Sequence, residues 1–103
     1  MIEPLLTPDW PLPASVRAVV TTRMGGVSSA PYASFNLASH VGDDSVALQQ
    51  NRQRLIELAG LPRAPSWLQQ VHGSKVVSAG SDANGLAADG CFTTEAGQVC
   101  AIL

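Results

Sequence analysis

Residues 43–62 read Asp-Asp-Ser-Val-Ala-Leu-Gln-Gln-Asn-Arg-Gln-Arg-Leu-Ile-Glu-Leu-Ala-Gly-Leu-Pro. Asp43, Asp44 and Ser45 supply N-capping side chains, and the acidic charge sits at the positive end of a helix dipole. Leu48, Leu55, Ile56 and Ala59 recur on one face, while Gln49, Gln50, Gln53 and Glu57 fall elsewhere. Gly60 stands where a left-handed C-cap residue belongs, and Pro62 prevents continuation. The pattern predicts one amphipathic helix running from Asp43–Ser45 to Ala59.

Working outward, Pro4, Pro8, Pro11 and Pro13 exclude a helix from residues 1–14 and predict an extended lead-in with Trp10 as an anchor. Val16 to Thr22 is apolar and β-branched, a strand. Arg23 to Ser39 is a long irregular stretch with Gly25-Gly26, Pro31 and Asn36. Its interspersed Val27, Tyr32, Phe35 and Leu37 predict an ordered, functional loop. Beyond the helix, Ser66–His72 and Lys75–Ala79 flank Gly73-Ser74, the signature of a type II′ hairpin. Cys91–Thr94 and Gln98–Leu103 read as two further short strands. One helix followed by a run of strands predicts an α+β fold rather than a regular βαβ alternation.

Composition bounds the function. The 103 residues leave room for a single domain, residues 1–103, and 46% of them are hydrophobic. Charged residues are only 14%, with a net charge of −2. No basic stripe exists to neutralise a phosphate backbone, so nucleic-acid binding is not expected. No apolar run approaches the roughly 20 residues that span a bilayer, and the start lacks the basic and apolar regions of a signal peptide. The expectation is a cytoplasmic chain with no membrane partner. Cys91 and Cys100 read as two reduced, partly buried thiols. Gln98–Leu103 ends on an apolar run, so the chain is expected to be cut in mid-fold. The remaining part of the chain, or self-association, is then expected to cover this last strand.

Several residues offer chemistry. On an extended Ser66–His72, Leu68, Gln70 and His72 share one face, which sets an imidazole and an amide side by side at a strand end. His72 reads either as a metal ligand or general base, or as a turn histidine bonded to a carbonyl. Arg23, after a strand and before Gly25-Gly26, reads as a bidentate anion binder or as a surface residue beside a turn. Asn36 is a ligand contact or the former of an Asx turn. His40 and Asp43 read as solvated or capping, and Asp89 as the partner of a histidine or the closure of a turn.

In series, Thr22-Arg23-Met24-Gly25-Gly26-Val27-Ser28, Ser34-Phe35-Asn36-Leu37, Asn51-Arg52, Trp67-Leu68-Gln69-Gln70-Val71-His72-Gly73 and Ala88-Asp89-Gly90 resemble the N-terminal part of the YfiH-like family. That family is also called polyphenol oxidoreductase laccase, zinc-containing purine nucleoside phosphorylase, or peptidoglycan editing factor. The resemblance runs from about residue 16 to Leu103. It implies a mixed α/β sheet fold, with residues 1–103 as the N-terminal portion of a larger single-domain enzyme. It also implies a metal centre of two His and one Cys, whose first His matches His72. The Cys lies in a Thr-Ala-Asp-Cys motif that would follow a strand similar to Val99–Leu103, and the second His lies later still. Cys91 and Cys100 match neither.

The activity implied is phosphorolysis of adenosine, inosine, guanosine or methylthioadenosine, with adenosine deamination alongside and zinc as cofactor. His72 would be the catalytic metal ligand, with Arg23, Asn36 and Gln70 as contacts to the purine nucleoside and phosphate. The alternatives are a copper-dependent polyphenol oxidoreductase, a peptidoglycan editing factor, or an inactive fragment as written.

Overall fold

The computed structural model describes residues 4–103, which divide into two compact units, residues 4–59 and 60–103. In the first, β1 (Leu5–Leu6) pairs antiparallel with β2 (Val20–Thr21), setting Leu5 against Thr21 and Leu6 against Val20. The amide and hydroxyl of Thr22 both donate to the carbonyl of Pro4, each at 3.0 Å.

The expected strand from Val16 to Thr22 is thus realised only at its end. Continuing the register would bring Pro8 opposite Ala18, and a proline has no N–H to give a ladder. Val16 instead donates to the carbonyl of Pro13 in a turn. Trp10, expected to anchor the lead-in, is 59% exposed and not part of a core.

Helix α1 (Ser45–Ala59) forms where the sequence predicts it. Asp44 is its N-cap: Oδ2 accepts the amide of Ala47 at 3.0 Å, and its carbonyl accepts that of Leu48 at 3.0 Å. Gly60 takes the left-handed conformation, φ 62°, that ends the helix. The buried face consists of Leu48, Asn51, Leu55 and Ala59, with Ile56 only half-buried. Phe35 and Leu37 are buried from the preceding loop.

The second unit contains β3 (Val76–Ser78), a 3₁₀ turn at Ser81–Ala83 and β4 (Gly90–Phe92). Strands β3 and β4 run parallel, with Val76 against Gly90, Val77 against Cys91 and Ser78 against Phe92. Leu68, Ala83 and Ala88 form the core, and Val77 and Cys91 pack against it.

The expected hairpin of Ser66–His72 with Lys75–Ala79 does not form. Residues 67–69 lie beside 85–88 instead: Gly85 donates to Trp67, Gln69 to the carbonyl of Leu86 and Ala88 to that of Gln69. The physical reason is visible at the turn. The left-handed residue is His72, φ 59°, and not Gly73. The amides of residues 71–73 are also taken by a side chain, Asp89. Of the strand expected at Cys91–Thr94 only Cys91 and Phe92 fall in β4, whereas Gln98–Leu103 joins no ladder among the described residues. No helix among those residues is long and apolar enough to cross a membrane. The architecture is α+β.

Candidate functional site

In the first unit, the loop of residues 23–39 is held by the helix behind it. Asn51, fully buried, sits on the apolar face of α1. Its Oδ1 accepts the amide of Val27 at 2.8 Å. Its Nδ2 donates to Ser28 Oγ and to the carbonyl of Asn36, each at 2.8 Å. Arg52 adds a fork from Nε and Nη2 to the carbonyl of Leu37, at 3.1 and 2.9 Å. No buried side-chain nitrogen or oxygen among the described residues lacks a partner.

Asn51 entered the sequence reading only as part of a resemblance. The signal was available: it is a polar residue inside the stripe of Leu48, Leu55 and Ala59. A buried amide must be bonded on every side that faces protein, and here its partners are the loop.

Arg23 lies at the mouth of this loop. Its carbonyl accepts the amides of Ser34 and Phe35 at 2.9 and 3.1 Å and the Ser34 hydroxyl at 2.8 Å. The backbone is therefore fixed while the side chain is exposed. Asn36 is engaged with its neighbours. Oδ1 accepts the amide of Ala38 at 3.1 Å, the geometry of an Asx turn, and Nδ2 donates to the carbonyl of Ala38 at 3.1 Å and to Asp43 Oδ2 at 3.2 Å. His40 is exposed.

Asp43, expected to be solvated or capping, is not the cap, which is Asp44, but a tie to the loop. Its Oδ2 accepts the Ser28 hydroxyl at 2.5 Å, and its Oδ1 accepts the amide of Asp44 at 2.8 Å. The Ser28 bond, opposed by partial desolvation and aided by Asn36 and the Asp44 amide, holds the carboxyl below its usual range. The folded pKa lies below the unfolded one. The contribution of Asp43 is therefore complete above the unfolded value, near pH 4, and is lost as pH falls through the folded value. Asp43→Asn is expected to be less stable than the parent at neutral pH, the gap closing in acid. Urea unfolding from neutral pH down to about pH 2 measures this, and a pH-independent gap would contradict it.

In the second unit, His72 occupies an exposed left-handed position, and its imidazole makes no hydrogen bond among the described residues. Asp89 lies below it. Oδ1 accepts the amides of Val71 and His72 at 2.9 and 2.8 Å, and Oδ2 accepts that of Gly73 at 2.7 Å. Burial alone would raise the Asp89 pKa, but these three bonds, with a smaller charge effect from His72, bring it below the usual range. Gln70, half-buried, uses Oε1 to accept the amide of Leu103 at 2.7 Å. The last described residue is thereby tied to the segment that carries His72.

The two thiols are free; Cys91 is half-buried as expected, whereas Cys100, expected to be partly buried, is exposed at the surface. Desolvation, then the neighbouring Cys91 thiol, push Cys100 up to about 11. Cys100 is therefore protonated near neutrality in the metal-free chain. No group of three or more His, Cys, Asp or Glu among the described residues could hold a metal ion. His72 suits a single ligand position, and the segment supplies no complete centre.

The solved structures define the class first. A crystal structure of a Neisseria meningitidis protein matches with a TM-score of 0.84 at 39% identity, over 93% of this chain and 39% of that one. YlmD from Geobacillus stearothermophilus matches with a TM-score of 0.66 at 37% identity, over 82% and 36%. The chain shares their mixed α+β fold. Residues 17–103 match the model of the multi-copper polyphenol oxidoreductase laccase family, and the chain belongs to that family, of the YfiH type.

Among curated relatives, a purine nucleoside phosphorylase of Pseudomonas aeruginosa is 53% identical over 98 residues, 95% of this chain and 39% of the relative. The purine nucleoside phosphorylase YfiH of Escherichia coli is 42% identical over 100 residues, 96% and 41%. The chain thus spans about two-fifths of the length of these relatives.

Proposed function

We propose that residues 1–103 are the N-terminal portion of a larger single-domain enzyme, a zinc-dependent purine nucleoside phosphorylase that also deaminates adenosine. The observation that carries this reading is the 53% identity to a relative bearing the phosphorylase name. The substrates proposed are adenosine, inosine, guanosine and methylthioadenosine together with phosphate.

His72 is proposed as one metal ligand. The Gln70–Leu103 hydrogen bond supports this, because any residues following Leu103 would start beside the His72 segment. That is where the family resemblance puts a Cys ligand. Zinc, when bound, would polarise an oxygen of substrate or water. The rest falls to the chain. In phosphorolysis a phosphate oxygen bonds C1′ as the C1′–nitrogen bond breaks. The purine leaves with the bonding pair and takes up a proton. Arg23, with its backbone pinned and its guanidinium exposed, is proposed to hold the phosphate. Asn36 and Gln70 are proposed as substrate contacts, Gln70 through the Nε2 that its bond to Leu103 leaves over.

Deamination consumes water and not phosphate, and that separates the roles. In the complete protein, Arg23→Ala is expected to raise the KM for phosphate about tenfold or more, the scale of a lost charge-assisted contact. Adenosine deamination should be unchanged. An unaltered phosphate KM would remove the assignment. Residues 1–103 alone are expected to turn over neither reaction.

The name of the matched family supports a second reading, copper-dependent phenol oxidation. Phenol oxidation after copper loading, compared with nucleoside turnover after zinc loading, distinguishes the two.

A further inference from the structure

We propose that Asp89 is the positioning residue for His72, acting through its backbone. This rests on the reading of His72 as a metal ligand. Three consecutive amides, those of Val71, His72 and Gly73, converge on the one carboxylate at 2.7–2.9 Å. Such a run of N–H groups forms a concave anion nest, and here the anion is the chain's own side chain. Asp89 also donates its amide to the carbonyl of Lys75 at 3.0 Å, so the turn is gripped on both sides.

The grip has an object. His72 is the sole residue other than glycine among those described with a positive φ, a conformation that disfavours a side chain. The residue is exposed and its imidazole has no hydrogen-bond partner among the described residues. The turn closes tightly on the carboxylate, since a Cβ on Gly73 would stand 3.2 Å from Asp89 Oδ2. Asp89 is itself fixed, between the fully buried Ala88 and the first residue of β4. The direction in which the imidazole leaves the backbone is therefore set by a carboxylate 17 residues further along the chain.

The test uses the complete protein and reads zinc affinity by competition with a chromophoric chelator, together with the visible spectrum of the cobalt(II) form. Asp89→Asn replaces one carboxylate oxygen by a donor facing other donors. It is expected to weaken zinc about ten- to a hundredfold, the usual effect of losing a group that orients a ligand, and to alter the cobalt bands. Asp89→Gly should show the same loss and recover part of the affinity and spectrum in formate, whose carboxylate can refill the nest.

Wild-type affinity and an unchanged cobalt spectrum in both variants would overturn the proposal. So would an affinity loss that only tracks the loss of folded protein and does not recover in formate, since Asp89 would then be structural alone. His72→Ala is the separate control. If it binds zinc as tightly as the parent, the ligand reading fails first and the proposal fails with it.

Discussion

Gly26→Ala is expected to destabilise the first unit by about 3 kcal/mol or more, the range of severe overpacking. A Cβ built on Gly26 meets the Ser34 carbonyl oxygen at 2.3 Å, Asn51 Oδ1 at 2.6 Å and Phe35 Cα at 2.6 Å. Two of these are backbone atoms, so no rotamer change clears them. The third is the amide oxygen that receives Val27, and moving it breaks a 2.8 Å hydrogen bond. The substitution therefore costs a clash and a bond at once. Urea unfolding followed by far-ultraviolet circular dichroism, which reports α1, measures the change. A loss below about 1 kcal/mol, the ordinary size of a point-mutation effect, would show that the loop can lift off the helix without penalty.

Asn51→Leu is expected to cost about 3 kcal/mol, although it places an apolar side chain of similar size on an apolar face. The replacement strands the Val27 amide, the Asn36 carbonyl and the Ser28 hydroxyl, and each unsatisfied buried group costs roughly 1–3 kcal/mol. The hydroxyl retains Asp43 as acceptor, so it contributes least. Ser28→Ala removes one end of a bond that Asn51→Leu also removes. The double variant should therefore lose less stability than the two singles combined. Strict additivity would mean that the contact between Ser28 and Asn51 carries no energy.

Helix α1 was legible because every signal for it is local. The Asp44 cap, the stripe from Leu48 to Ala59 and the terminal Gly60 lie within one stretch, and the structure reproduces its bounds. The order in the Arg23–Ser39 loop was legible from Phe35 and Leu37, which are buried. Its cause was not, since Asn51 lies outside the loop. The hairpin at Gly73-Ser74 failed for the same reason on a larger scale. Turn rules consider two residues, whereas this turn is decided by Asp89, whose carboxylate takes the His72 amide, and whose own amide takes the Lys75 carbonyl, that a hairpin would pair with each other.

Of the candidate site, pattern alone left His72, Arg23 and Asn36 open between chemistry and turn formation. Resemblance, and not spacing, singled out His72. The structure adds what neither supplied, a left-handed backbone at His72 and the carboxylate that holds it.

The helix grips the loop almost wholly by main-chain atoms: the amide of Val27 and the carbonyls of Asn36 and Leu37. Main-chain atoms are the same whatever the side chain. Outward residues such as Arg23, Met24, Val27 and Ser29 can therefore be exchanged without loosening the loop, whereas Asn51 and Arg52 cannot. Mutational tolerance in this unit is thus divided, with a permissive rim over an exacting helix. If the loop contacts substrate as proposed, substrate preference would diverge at the rim, one side chain at a time, while the backbone that displays it stays unchanged.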